Sequence, residues 1–165
     1  KCNRGDSKGN SNCSNNSPDI YACDETQSLA EYGRLYNWHA VDDPRGLCPT
    51  GWHVPTDEEW TDLENHISSQ GFSGTEGTAL KLMTGWGVGA NGTDDFGFSA
   101  LPGGYRNAWG GFFNAGAGDG GYWWSSSPSG GYAWYRYLGS NRPDIVRDYD
   151  YPRFGFSVRC LRDAD

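Results

Sequence analysis

The sequence predicts an α+β domain: a small twisted antiparallel sheet with one or two helices and long glycine-rich loops. Three observations predict it. Only the stretch after Thr56 combines a start signal with helical spacing of its apolar residues. Three runs late in the chain, 122–126, 132–138 and 154–161, have the alternation or aromatic density of short strands and are bounded by Gly, Pro, Asn or Asp. Glycine, at 25 of 165 residues, concentrates between positions 71 and 131 without a collagen-like period. That distribution implies turns and closely approaching backbones rather than long helices.

Taken in order, residues 1–31 read as an irregular extension rich in Asn, Ser, Gly and Asp. They have too few apolar residues to hold themselves together, and Cys2, Cys13 and Cys23 within them suggest disulfide staples. The domain itself is expected over 32–165. Tyr32, Leu35, Tyr36, Trp38, Ala40 and Val41 form an apolar run that reads as a strand entering a short helix. Residues 42–51 hold two prolines and two glycines and read as turns. Thr56 then opens a Thr-x-x-Glu capping box, with Asp57, Glu58 and Glu59 set against the positive end of the helix dipole. Trp60, Leu63 and Ile67 follow at helical spacing, so a helix should run to about Ser69 and stop near Gly71. Ala79, Leu80, Leu82 and Met83 suggest a second short helix. In the last strand Phe154, Phe156, Val158 and Cys160 share one face.

Composition restricts the function classes. A formal net charge of −8 leaves no basic stripe for nucleic acid. No stretch approaches the roughly 18 apolar residues of a membrane-spanning helix. Aromatic residues make up 15% of the chain, including 8 Trp and 10 Tyr, so the core is expected to be aromatic. His39, His53 and His66 have no metal-hydrolase spacing, and neither a nucleophile elbow nor a phosphate loop occurs. The expectation is a protein that is not an enzyme.

Six separated blocks carry a family resemblance: YGRLYNWHAV from Tyr32, GLCPTGWHVPTDEEW from Gly46, FSALPGGYR from Phe98, GYWWSSS from Gly121, AWYRYL from Ala133 and FGFSVRCLRD from Phe154. In order and spacing they resemble the Fibrobacter succinogenes major paralogous domain. The resemblance implies a C-type-lectin-like fold close to the formylglycine-generating-enzyme branch, and an exported bacterial protein at the cell surface or outside the cell, alone or within a larger surface protein. The chain is also similar to variable proteins of diversity-generating retroelements. Formylglycine-generating enzymes need two reactive cysteines near the C-terminal end, whereas Cys160 is the only cysteine after Cys48. Within the implied fold, Cys48 and Cys160 are expected to bond to each other.

Three candidate sites follow. Tyr105, Asn107, Trp109, Phe112, Asn141, Arg142, Tyr149 and Tyr151 lie in segments rich in Gly, Asn and Asp, with no periodic place to be buried. They read either as a binding face for a carbohydrate, peptide or surface protein, or as loop plugs. Asn91, Asp94 and Asp95 gather oxygen donors that suit either Ca2+ or an Asx-rich turn, as do Asp144, Asp148 and Asp150. By contrast, Trp123, Trp124, Trp134, Tyr135 and Tyr137 are expected to be mostly core. The alternative function is a structural subunit whose aromatic loops pack against a neighbour in a surface assembly.

Overall fold

The computed structural model describes residues 25–113 and 118–164, with the backbone alone for 25–28. Cys2, Cys13 and Cys23, and the staples expected among them, lie outside the described residues. Within these bounds the chain is α+β, with short helices set among small antiparallel sheets.

The helices are α1 (Glu25–Tyr32), α2 (Trp38–Val41), α3 (Asp57–Ile67) and α4 (Glu76–Leu80). Strands β1 (Trp52–His53) and β7 (Leu161–Arg162) pair, as do β2 (Tyr105–Arg106) and β3 (Phe112–Phe113). The central sheet runs β4 (Gly120–Ser129), β5 (Tyr132–Gly139) and β6 (Val146–Asp150) in that spatial order.

The α3 capping box forms as its sequence requires: Glu59 N–H donates to Thr56 Oγ1 at 3.1 Å, and Thr56 N–H donates to Glu59 Oε2 at 2.8 Å. The helix ends at Ile67, two residues earlier than expected, and a π-turn over Ser68–Phe72 carries the chain to Gly71. Gly71 has φ +99°, a conformation that an L side chain resists. The second short helix lies upstream of its expected place. Lys81 turns extended after Leu80 so that its buried ammonium can donate to the carbonyls of Gly139 and Arg142, at 2.5 and 2.6 Å, and Met83 is left exposed.

Both faces of the central sheet are covered, which is why β4 does not alternate cleanly. Trp123 points to one side, where it joins Trp60, Ile67, Leu80, Trp86 and Leu138 beneath α3 and α4. Trp124 points to the other and packs with Trp38, Val41, Val54, Ala133 and Phe156. Consecutive tryptophans therefore serve two cores, and each buried aromatic of this kind is worth roughly 1.5–3 kcal/mol. The α3 layer is fixed to the sheet by Arg136 of β5, which is 1% exposed. Its guanidinium donates to Asp57 Oδ1 at 2.6 Å, to Thr61 Oγ1 at 3.0 Å and to Glu64.

Three expectations need correction. Residues 25–31 were expected to be irregular, and they lie in α1. Segment 154–161 is not one continuous strand: Gly155, Phe156 and Ser157 make single bridges to Arg106, Tyr36 and Trp123, and only Leu161 and Arg162 form a strand. Its side chains are divided among several neighbours, so alternation alone misreads it as a ladder. Conversely, residues 146–150, expected as an acidic loop, form β6.

Cys48 and Cys160 are bonded, as the resemblance implies, beside the β1–β7 pair. His53 reinforces this junction. Its Nδ1 lies 2.6 Å from Asp163 Oδ1 and its Nε2 lies 2.9 Å from Glu59 Oε1, so one ring joins the α3 cap to the segment after β7. Hydrogen bonds to Asp163 and then Glu59 raise the imidazole pKa above its ordinary 6.5. Stability from a raised histidine is fully present below the unfolded-state pKa and is lost as pH rises through the folded-state one. Thermal melts against pH should therefore show the wild type's advantage over His53→Gln fully developed below 6.5 and fading above it. A pH-independent gap would show that the clasp is not ionic.

Candidate binding face

The β2–β3 hairpin has a rigid tip because Asn107 folds its side chain back into the turn. Asn107 Oδ1 accepts from Trp109 N–H at 3.0 Å and from Gly111 N–H at 2.8 Å, the local bonding for which Asn is favoured in turns. Trp109 stands out from this tip at 84% exposure. Across from it, the end of β6 presents Tyr151, 53% exposed. Between them lies a groove of about 610 Å3 lined by Trp109, Ala108, His39, Tyr151, Pro152 and Arg153, with Gly131 at its edge.

Strand register extends the aromatic surface beyond the groove. Trp134 pairs with Tyr149 across β5 and β6, and Tyr132 and Tyr151 lie two residues further along on the same face. Ring centroids are 5.3 Å apart for Trp134–Tyr149, 5.3 Å for Tyr149–Tyr132 and 4.9 Å for Tyr132–Tyr151, so the four rings form one row. A hydrogen bond with Tyr151 is the main cause of a raised Tyr132 pKa. Arg147 closes the far end. Its guanidinium lies 3.5 Å from the centre of the Trp134 ring and also pairs with Asp57 Oδ2 at 2.7 Å, tying the row to α3. Within the row Tyr149 and Tyr151 are exposed, while Tyr132 and Trp134 are half-buried.

The expected binding residues do not form one site. Trp109 and Tyr151 meet across the groove, with Asn107 holding the Trp109 N–H, and Tyr149 lies apart from Trp109 in the ring row that ends at Tyr151. Phe112 does not belong: it is 2% exposed and sits under the Arg106 guanidinium. Tyr105 is half-buried, stacked on Phe113 and Phe154. Asn141 and Arg142 lie in the β5–β6 connection, at the opposite end of β5 from Tyr132, where Arg142 pairs with Asp144 at 2.7 Å. Their composition resembles that of the Trp109–Tyr151 groove, but the direction of β5 separates them from it. His39, Tyr132, Trp134, Pro152 and Arg153 were missed. The paired alternations Tyr-x-Trp at 132–134 and Tyr-x-Tyr at 149–151 were the available signal.

The Asx-rich loop uses its oxygens internally. Asn91 Oδ1 accepts from Trp86 N–H, Asp94 accepts from both the N–H and the hydroxyl of Ser99, and Asp95 accepts from the Thr93 hydroxyl. These are bonds that close the loop, and among the described residues no three His, Cys, Asp or Glu side chains gather to hold a metal ion. Asp148 and Asp150 accept from the N–H groups of Tyr149 and Tyr151. Burial, and then the charge of Asp148, raise the Asp150 pKa.

A family model described as the Fibrobacter succinogenes major domain matches residues 2–162. The chain belongs to that family. In this Fibrobacter succinogenes major domain the matched stretch begins well before Tyr32, where the first resembling block starts, and reaches the end of β7. It therefore includes both the groove and the aromatic row. No curated protein and no solved structure matches the chain. No helix among the described residues is long and apolar enough to cross a membrane.

Proposed function

We propose that this Fibrobacter succinogenes major domain is a non-enzymatic binding module of the cell surface or extracellular space. In this reading it has C-type-lectin-like architecture and recognises a carbohydrate, peptide or protein through Trp109, Tyr149 and Tyr151. The observation that carries this reading is the exposure of Trp109 and Tyr151, at 84% and 53%, across one groove, with Tyr149, 49% exposed, in the ring row that continues from Tyr151. A stable fold gains nothing by leaving such rings in water, whereas rigid aromatics give a binding face contact area at low entropic cost. The long-range disulfide supports an oxidising compartment. The β1–β7 junction, with a long loop-rich excursion between its strands, supports the lectin-like architecture.

The test is a combined glycan and peptide array, probed with wild type and with the triple variant Trp109→Ala/Tyr149→Ala/Tyr151→Ala, alongside light scattering over a range of concentrations. A module gives binding that the triple variant loses, from a protein that stays monomeric. Self-association lost in the triple variant, with no array binding, would replace this reading with an assembly subunit.

A further inference from the structure

We infer that a second cavity, beside Arg159, binds the oxyanion head of a small organic anion, a carboxylate or a phosphate ester. The inference goes beyond the binding-module reading, because this cavity shares no lining residue with the groove of Trp109 and Tyr151.

Arg159 is the first support. Withdrawing a guanidinium from water is costly unless an anion accompanies it. Arg45, Arg136, Arg142 and Arg147 each hold a carboxylate at 2.7 Å or less. Arg159 is half-buried, yet it forms no ion pair among the described residues. Its partners are neutral: Nη1 donates to the Phe98 carbonyl, and the guanidinium lies 4.1 Å from the centre of the Phe98 ring. A guanidinium carries five N–H donors, so this one carbonyl leaves most of them available. The acid whose charge acts on Arg159 is Asp94, and both Asp94 oxygens are occupied at Ser99, by its N–H at 2.6 Å and its hydroxyl at 2.8 Å. Burial outweighs that charge and pulls the Arg159 pKa below its ordinary value.

The lining selects the ligand. A hollow of about 360 Å3 lies where the turn between α1 and α2 meets residues 99–101 and 157–159. Its volume falls within the roughly 300–1,000 Å3 common to small-ligand sites. Among the described residues that line it, Arg34 and Arg159 are charged and no Asp or Glu joins them. A chain of net charge −8 thus keeps one locally positive hollow, and such a hollow concentrates anions. The guanidinium fork matches the paired oxygens of a carboxylate or phosphate head. Leu101, Trp123 and Val158 add an apolar wall, with Trp123 only 7% exposed. An inorganic ion would leave that wall wet, whereas an organic body covers it.

The test is an NMR shift titration of the full chain with benzoate, hexanoate and phenyl phosphate, set beside benzamide, hexanamide and inorganic phosphate. At least one organic anion should bind at least about tenfold more tightly than its counterpart, because a hydrogen bond to an ionised acceptor is much the stronger kind. The tighter head, carboxylate or phosphate, shows which of the two the site takes. Arg159→Lys keeps the charge but loses the fork, and should weaken binding by at least about tenfold. Arg34→Gln leaves the Arg159–Phe98 contact in place and should also weaken binding, through loss of the second positive charge. Met83→Ala, which removes an exposed side chain outside the cavity, should bind normally. Circular dichroism would confirm that each variant folds. The inference is overturned if no organic anion binds, if the amides bind as tightly as the acids, or if inorganic phosphate binds as tightly as every organic anion. Unchanged affinity in Arg34→Gln and Arg159→Lys overturns it too. Because the two sites are separate, none of these outcomes bears on the Trp109 groove.

Discussion

Replacing Arg136 with alanine is expected to lower the unfolding free energy by about 3–5 kcal/mol, the usual cost of removing one partner from a buried ion pair. The guanidinium is 1% exposed, and it lies between Asp57 and Glu64 of α3 while also donating to the Asp57 carbonyl at 3.1 Å. Alanine would strand the Glu64 carboxylate, leave Asp57 with Arg147 alone, and open a void beneath the helix. Arg136→Met combined with Glu64→Gln keeps the volume and removes the stranded charge, so it should lose clearly less. Acid titration gives a second check. Burial pushes the Asp57 pKa up, but hydrogen bonds from Arg147 and Arg136 prevail and hold it below 3.8. Stability from a depressed carboxylate is present above its unfolded-state pKa and is lost as pH falls through the folded-state one. Urea denaturation should therefore show a shallower acid-range loss in Arg136→Ala than in wild type. Equal stability of the alanine variant and wild type would mean that the helix layer is held by packing alone.

Breaking the Cys48–Cys160 bond should cost about 4 kcal/mol, since it releases a loop with a sequence separation of 112 in the unfolded chain. Cys48→Ser/Cys160→Ser should unfold at a urea concentration well below that of the oxidised wild type. Because the bond lies at the β1–β7 junction and not at the groove, whatever folded population remains should keep its ligand affinity. Coincident curves for this variant and the oxidised wild type would refute the loop-closure account.

Local chemistry was legible in the sequence wherever a single segment determined the outcome. The α3 cap needs only Thr56 and Glu59, and both behave as their spacing implies. Strands β4 and β5 were legible from aromatic density. By contrast, β6 was read as a loop because Asp148 and Asp150 interrupt it, and their carboxylates turn out to occupy N–H groups of their own strand. The segment after Phe154 alternates like a strand, yet its residues are shared among separate neighbours, which no local pattern can show. In the candidate face, the exposure of Trp109, Tyr149 and Tyr151 was legible from side-chain type and context. Phe112 was misplaced, because a short hairpin that turns one ring inward and leaves another outside has the same composition as an open loop. Arg142 was grouped with them only because its loop is equally polar, and sequence composition does not record at which end of a strand a loop lies.

The covalent link between Cys48 and Cys160 also has a mechanical consequence. When the chain is pulled from before Cys48 and after Cys160, tension passes from one sulfur to the other, and the segment between them is shunted out of the load path. The aromatic row, Trp109 and the sheet that supports them all lie within that segment. Only the part before Cys48, α1 and α2 with His39, would then bear the load, and reducing agent would extend the load path through the segment that carries Trp109 and the aromatic row.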